Sequence, residues 1–135
     1  CPRIFPEGLA AYAEERPAGS RSAIGSLNDN RLDDLANLQR QTDWIPIKDL
    51  IVSDDALFGK RGGVKLLLAY AEAWLLVYYL MNRPETAAKL RDYLKTIYPR
   101  KNASRRLADA EQYFGDPGKL DAPLREFSIR LLKSR

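Results

Sequence analysis

The stretch VKLLLAYAEAWLLVYYLM, Val64 to Met81, decides how the rest of the chain must fold. Only Lys65 and Glu72 interrupt its apolar and aromatic residues. A helix that is apolar on every side is surrounded either by protein or by lipid. A spanning helix needs about 20 predominantly apolar residues, and a carboxylate near its middle is costly in lipid. The run also lacks the alternation of a half-buried strand and is too long for a buried one. It predicts the central buried helix, about 64–81, of a compact multi-helix all-α domain.

Outward from that helix, Gly59 and the pair Gly62-Gly63 predict a flexible break before it. Asn82-Arg83-Pro84 after it predicts a tight turn, with Pro84 opening the next helix, Glu85 to Ile97. Ala88, Leu90, Leu94 and Ile97 would face the centre, and Tyr98-Pro99 would end it. Ser104 is placed to cap a helix from Arg105 to Phe114 bearing Leu107, Ala110 and Phe114, which Gly115 stops. Pro117-Gly118 then turns the chain into a last helix, about Ala122 to Lys133, capped by Asp121. Its apolar residues are Leu124, Phe127, Ile129, Leu131 and Leu132.

On the N-terminal side, Cys1 to Pro6 reads as an extended entry, with Pro6 able to occupy a first helical position. Glu7 to Glu15 predicts a short helix with Leu9, Tyr12 and Ala13 inward, stopped by Pro17 and Gly19. Arg16 to Asn30 is rich in Gly, Ser, Asn and Pro and predicts a surface loop. Asp29 or Asn30 caps the next helix, Arg31 to Gln41, whose Leu32, Leu35, Ala36 and Leu38 make an apolar stripe. Trp44 to Ile47 is an extended link, Lys48 to Val52 a turn or two of helix, and Ser53-Asp54-Asp55 caps a further turn through Phe58. No strand, internal repeat or low-complexity segment emerges.

At 135 residues, 45% apolar and 30% charged, the chain suits one globular domain, 1–135. It begins Cys-Pro, which suits a piece of a longer protein, and a processed or engineered N-terminus equally. The single cysteine excludes an internal disulfide framework. Histidine is absent, which removes imidazole acid–base catalysis, Ser-His and Cys-His nucleophile pairs, and metal sites built on imidazole. Residues 1–60 hold 7 Lys and Arg against 10 Asp and Glu, and residues 61–135 hold 15 against 8. The basic second half could meet an anionic partner, but its cations alternate with Asp and Glu at helical spacing, as on a solvated helix surface. No nucleic acid and no membrane are expected as partners.

Two carboxylates and one tyrosine are candidates for chemistry. Glu7 in the first turn of a helix ordinarily complements the helix dipole. Glu72 among apolar residues is costly unless paired, and Lys65 lies seven residues earlier on an edge that would reach solvent. Tyr70, Tyr78 and Tyr79 read as core aromatics whose hydroxyls reach the boundary. Asp33-Asp34 and Asp54-Asp55 point in different directions on a helix and read as caps and surface.

Ile4-Phe5-Pro6-Glu7-Gly8-Leu9-Ala10 resembles the second motif of gluzincin zinc metallopeptidases, in which the Glu of x-E-G is the third zinc ligand after an upstream H-E-x-x-H helix. The segment from Tyr70-Ala-Glu-Ala-Trp74 to Leu80 similarly resembles that clan's later helix, whose Tyr in the aminopeptidase branch donates to the tetrahedral intermediate. With Phe114-Gly115-Asp116 before a last helix, the chain looks most like a bacterial family of uncharacterised gluzincin-like proteins. The resemblance implies a metal role for Glu7, a catalytic role for Tyr70, and zinc in the parent protein. It implies as partners an upstream catalytic segment and a peptide or protein substrate, and it is compatible with export or the cell envelope.

The chain departs from the pattern by lacking H-E-x-x-H, and a catalytic zinc needs about three protein ligands. The expectation is a C-terminal helical subdomain of a zinc peptidase that is inactive in isolation, with no zinc in the isolated chain. The alternative is a non-catalytic helical interaction module, and a nucleic-acid binder using the basic half is a weaker third.

Overall fold

The computed structural model describes residues 1–13, 29–58, 63–99 and 103–134, and among them every regular element is helical. The break predicted at residues 59–62, the stop at Pro17 and Gly19 and most of the predicted 16–30 loop lie outside the described residues. Eight α-helices are present among those described: α1 Ile4–Ala13, α2 Asp29–Leu38, α3 Ile47–Val52, α4 Asp55–Phe58, α5 Gly63–Met81, α6 Pro84–Ile97, α7 Arg106–Phe114 and α8 Asp121–Lys133.

The predicted central helix is α5, extended by one residue. Gly63 opens it at φ +76°, a left-handed conformation that costs an L-residue and suits glycine. By length and composition alone α5 could cross a membrane. Here α1, α2, α4, α6 and α8 surround it instead. Every residue from Leu68 to Val77 is buried except Tyr70, including Glu72 and Trp74. At its far end Arg83 is extended, as the residue before a proline must be, and Pro84 starts α6. The Thr86 hydroxyl donates to the carbonyl of Leu80, giving the end of α5 one of the partners that helix termini lack.

The first helix begins at Ile4, earlier than the Glu7 start expected of it. Pro6 lies within its first turn, where a backbone N–H has no intrahelical partner, so proline costs nothing there. The early start turns Ile4, Phe5, Gly8 and Ala11 inward. Leu9 and Tyr12 are half-buried, and Ala13 is exposed rather than inward. Gly8 lies so close to α5 that a Cβ there would stand 2.4 Å from the Ala73 carbonyl oxygen and 2.6 Å from Val77 Cγ2.

Two aromatic groups fix α1 at both ends. Phe5 packs on Tyr93 of α6 at 4.9 Å between ring centroids, and Tyr93 on Phe114 of α7 at 5.0 Å. Tyr12 meets Tyr78, which contacts Trp74 at 5.4 Å and Phe127 of α8 at 5.7 Å. The first group draws Tyr93 into the interior of α6 alongside Ala87, Leu90 and Ile97. Ala88 and Leu94, expected there, are half-buried.

Other boundaries shift for local reasons. The 3-10 turn Ala103–Arg105 precedes α7, which starts one residue later than expected. Gly115 stops α7 at φ +74°, and the Asp116 carboxylate accepts from the N–H of Gly118 to shape the next turn. On α8 the inward face is Leu124, Phe127 and Ser128, which leaves Ile129 48% exposed. Asp121 does not cap α8: its side chain is engaged by the 44–47 link instead.

Candidate functional site

Glu7 and Tyr70 come from α1 and α5, the two helices that approach at Gly8. Tyr70 lies one turn before Ala73 on α5, and Ala73 with Val77 is the surface on which Gly8 rests. Glu7 is the residue next to Gly8 on α1, so along their own helices both candidates stand within a turn of the contact between α1 and α5. Its side chain is 26% exposed, and its Oε1 accepts from Arg3 Nη2 at 2.8 Å across one turn of α1. Tyr70 is half-buried, and its hydroxyl donates to the Leu57 carbonyl at 3.4 Å.

Asp54, which the sequence alone presents as a cap, bonds to Arg3 and to Leu57, the residues that partner Glu7 and Tyr70. Its Oδ1 accepts from the backbone N–H of Arg3 at 3.0 Å and from Arg106 Nη1 at 2.9 Å. Its Oδ2 accepts from Arg106 Nη2 at 3.0 Å, completing a two-pronged pair. Burial pushes this carboxyl up, but the Arg106 hydrogen bonds, the Arg3 N–H and both positive charges outweigh it and hold the group below the usual carboxylate range. The Asp54 carbonyl accepts from the N–H of Leu57, whose own carbonyl takes the Tyr70 hydroxyl. Glu7, Arg3, Asp54, Leu57 and Tyr70 thus form one continuous bonded path. No local pattern announces an ion pair between residues 52 positions apart, so Arg106 carries no signal in the sequence.

Glu72, the other candidate carboxylate, lies elsewhere. It is fully buried, not at a solvent edge, and Lys65 is exposed and not its partner. Its Oε2 accepts from the Ile45 N–H at 3.0 Å, while Oε1 has no hydrogen-bond partner. Burial, reinforced by the charge of Asp121, pushes its pKa up to about 9 against the opposing pull of the Ile45 N–H and Arg125. At neutral pH it is a carboxylic acid, not a carboxylate. On the other side of the 44–47 link, Asp121 Oδ1 accepts from Trp44 Nε1 at 2.8 Å and from the Ile47 N–H at 2.9 Å.

Among the described residues, no group of three or more His, Cys, Asp or Glu side chains is arranged to hold a metal ion. Glu7 offers one accessible carboxylate whose present partner is a surface arginine, a pairing of small net strength. Chemically it fits one position in a ligand set and no more.

Fold and site together define an all-α domain that carries a carboxylate and a phenol on neighbouring helices. The family model for a protein of unknown function, DUF1570, matches residues 1–103, and the chain belongs to that family. The matched part contains Arg3, Glu7, Asp54 and Tyr70, and it ends before Arg106. No curated protein and no solved structure matches the chain.

Proposed function

We propose that this domain is the helical subdomain of a zinc-dependent peptidase, contributing Glu7 as one metal ligand and Tyr70 as a hydrogen-bond donor to the tetrahedral intermediate. The observation that carries the reading is the bonded path joining Glu7 to Tyr70 through Asp54 and Leu57. A core aromatic and a dipole-complementing glutamate have no need of such a link. The gluzincin-like motifs around Phe5-Pro6-Glu7-Gly8 and Tyr70-Ala-Glu-Ala-Trp74 support it from the sequence side.

On this reading the remaining ligands and the general base come from outside these 135 residues. A zinc ion held there would supply Lewis-acid polarisation of the scissile carbonyl. The residues of this chain have separate tasks. Arg3 neutralises Glu7 until a cation competes for it, and the phenol of Tyr70 exchanges the long bond to Leu57 for one to a developing oxyanion. A donor must come to about 3 Å of that oxygen to act.

The test uses the full-length protein, assayed for bound zinc and for hydrolysis of unfolded casein. Glu7→Gln should lose the metal. Tyr70→Phe should keep it while lowering turnover about a hundredfold or more. A full-length protein that holds no metal, or a Tyr70→Phe variant with parental turnover, would refute the assignment. A non-catalytic interaction module is the reading that would then stand.

A further inference from the structure

Asp54 is a largely buried carboxylate, 15% exposed, that serves three parts of the fold at once. Its side chain reaches the start of α1 at the Arg3 N–H and the start of α7 at the Arg106 guanidinium. Its carbonyl accepts from Leu57 in α4, the residue that receives the Tyr70 hydroxyl.

We propose that Asp54 is the positioning residue that sets Glu7 against Tyr70. The proposal rests on the reading that these two side chains act together. Arg3 supplies the carbonyl that accepts from the N–H of Glu7 at 3.0 Å, so it is the capping residue of α1. Fixing its own N–H fixes the direction in which the first turn leaves the chain. Asp54 does this from 51 residues away.

The Arg3–Glu7 ion pair cannot perform the positioning itself. Arg3 is 49% exposed, and a long exposed side chain holds its partner weakly. The Asp54–Arg106 pair differs: both side chains are mostly buried, at 15% and 18% exposed, and the planar fork has two bonds of similar length. It therefore makes a rigid anchor for the flexible one. Burial of Ile4 and Phe5 holds α1 on the core in any case. Loss of the Asp54 contact should therefore loosen the first turn of α1 without detaching the helix.

The experiment compares the full-length protein with Asp54→Ala and Arg106→Gln in two measurements. The first is residue-resolved amide exchange at Glu7 and Gly8, expressed relative to exchange at Leu75 and Leu76 in α5. In both variants this ratio should rise about tenfold, the cost of one charge-assisted hydrogen bond. An unchanged ratio overturns the proposal whatever the protein's activity proves to be. The second is casein hydrolysis, in which kcat should fall about tenfold or more while KM stays within about twofold. Parental kcat in a variant whose first turn has loosened also overturns it. A full-length protein with no hydrolytic activity refutes the peptidase reading instead, and the exchange ratio alone then decides for Asp54.

Discussion

The carboxyl of Glu72 accepts a hydrogen bond from the Ile45 N–H at 3.0 Å, 27 residues away, and both residues are buried. An acidic side chain in the middle of the core helix is thus not charged when the protein is folded. Its pKa stands near 9, against 4.5 in the unfolded chain. The native state holds a proton that the unfolded state would release at neutral pH.

Stability should depend on that difference. The folded pKa lies above the unfolded one, so this group's contribution is fully present below about 4.5 and is lost progressively as pH rises towards 9. At pH 7 the cost is on the order of 3 kcal/mol, at about 1.4 kcal/mol per unit. Glu72→Gln keeps the acceptor for Ile45 and removes the titration. The variant should match its parent in urea near pH 4.5 and exceed it by about 2–3 kcal/mol at pH 7. A difference that stays constant with pH would mean that Glu72 is ionised in the native protein.

Gly8 packs directly against α5, and the nearest obstacle to a side chain there is backbone. An alanine Cβ would meet the Ala73 carbonyl oxygen at 2.4 Å, which the core helix cannot yield without moving. Gly8→Ala should cost about 1–3 kcal/mol despite the better helix propensity of alanine. Thermal unfolding checks this, and a stabilised variant would show that the two helices sit further apart.

Trp74 is fully buried on α5 with its ring on Tyr78. Its truncation to alanine should cost about 3–5 kcal/mol, read as a lower urea midpoint with an unchanged slope. A midpoint equal to the parent's would remove Trp74 from the core.

The architecture is legible in the sequence because one strong signal organises it. An 18-residue apolar run admits few structures, and the prolines and glycines at 84, 99, 115 and 117 mark where the later helices start and stop. Face assignments are less legible where aromatic packing overrides simple periodicity, as at Tyr93 against Leu94. The acidic residues are the least legible. Asp54 and Asp121 each precede or open a helix and look like local caps, yet each spends its carboxylate on partners more than 50 residues away. Glu72 looks like a partner for Lys65 because both lie on one helix. Its true partner, a backbone N–H in an extended link, has no side-chain signature at all.

Two carboxyl groups flank the 44–47 link, and their coupling gives the last prediction. Asp121 holds Trp44 and Ile47 from α8, Glu72 holds Ile45 from α5, and the charge of Asp121 helps keep Glu72 protonated. Arg125, which stands 5.9 Å from the Trp44 ring, acts in the opposite direction. Asp121→Asn retains an acceptor oxygen for both bonds and removes only the charge. The Glu72 pKa should therefore move down from about 9, though not to 4.5, because burial is the larger cause. Arg125→Gln should move it up. A carbon-detected NMR titration of the Glu72 carboxyl reads both shifts directly. Opposite shifts establish that the charges on α8 tune the protonation that burial imposes on the core helix. Identical curves in parent and both variants would leave burial as the whole cause and dismiss the coupling.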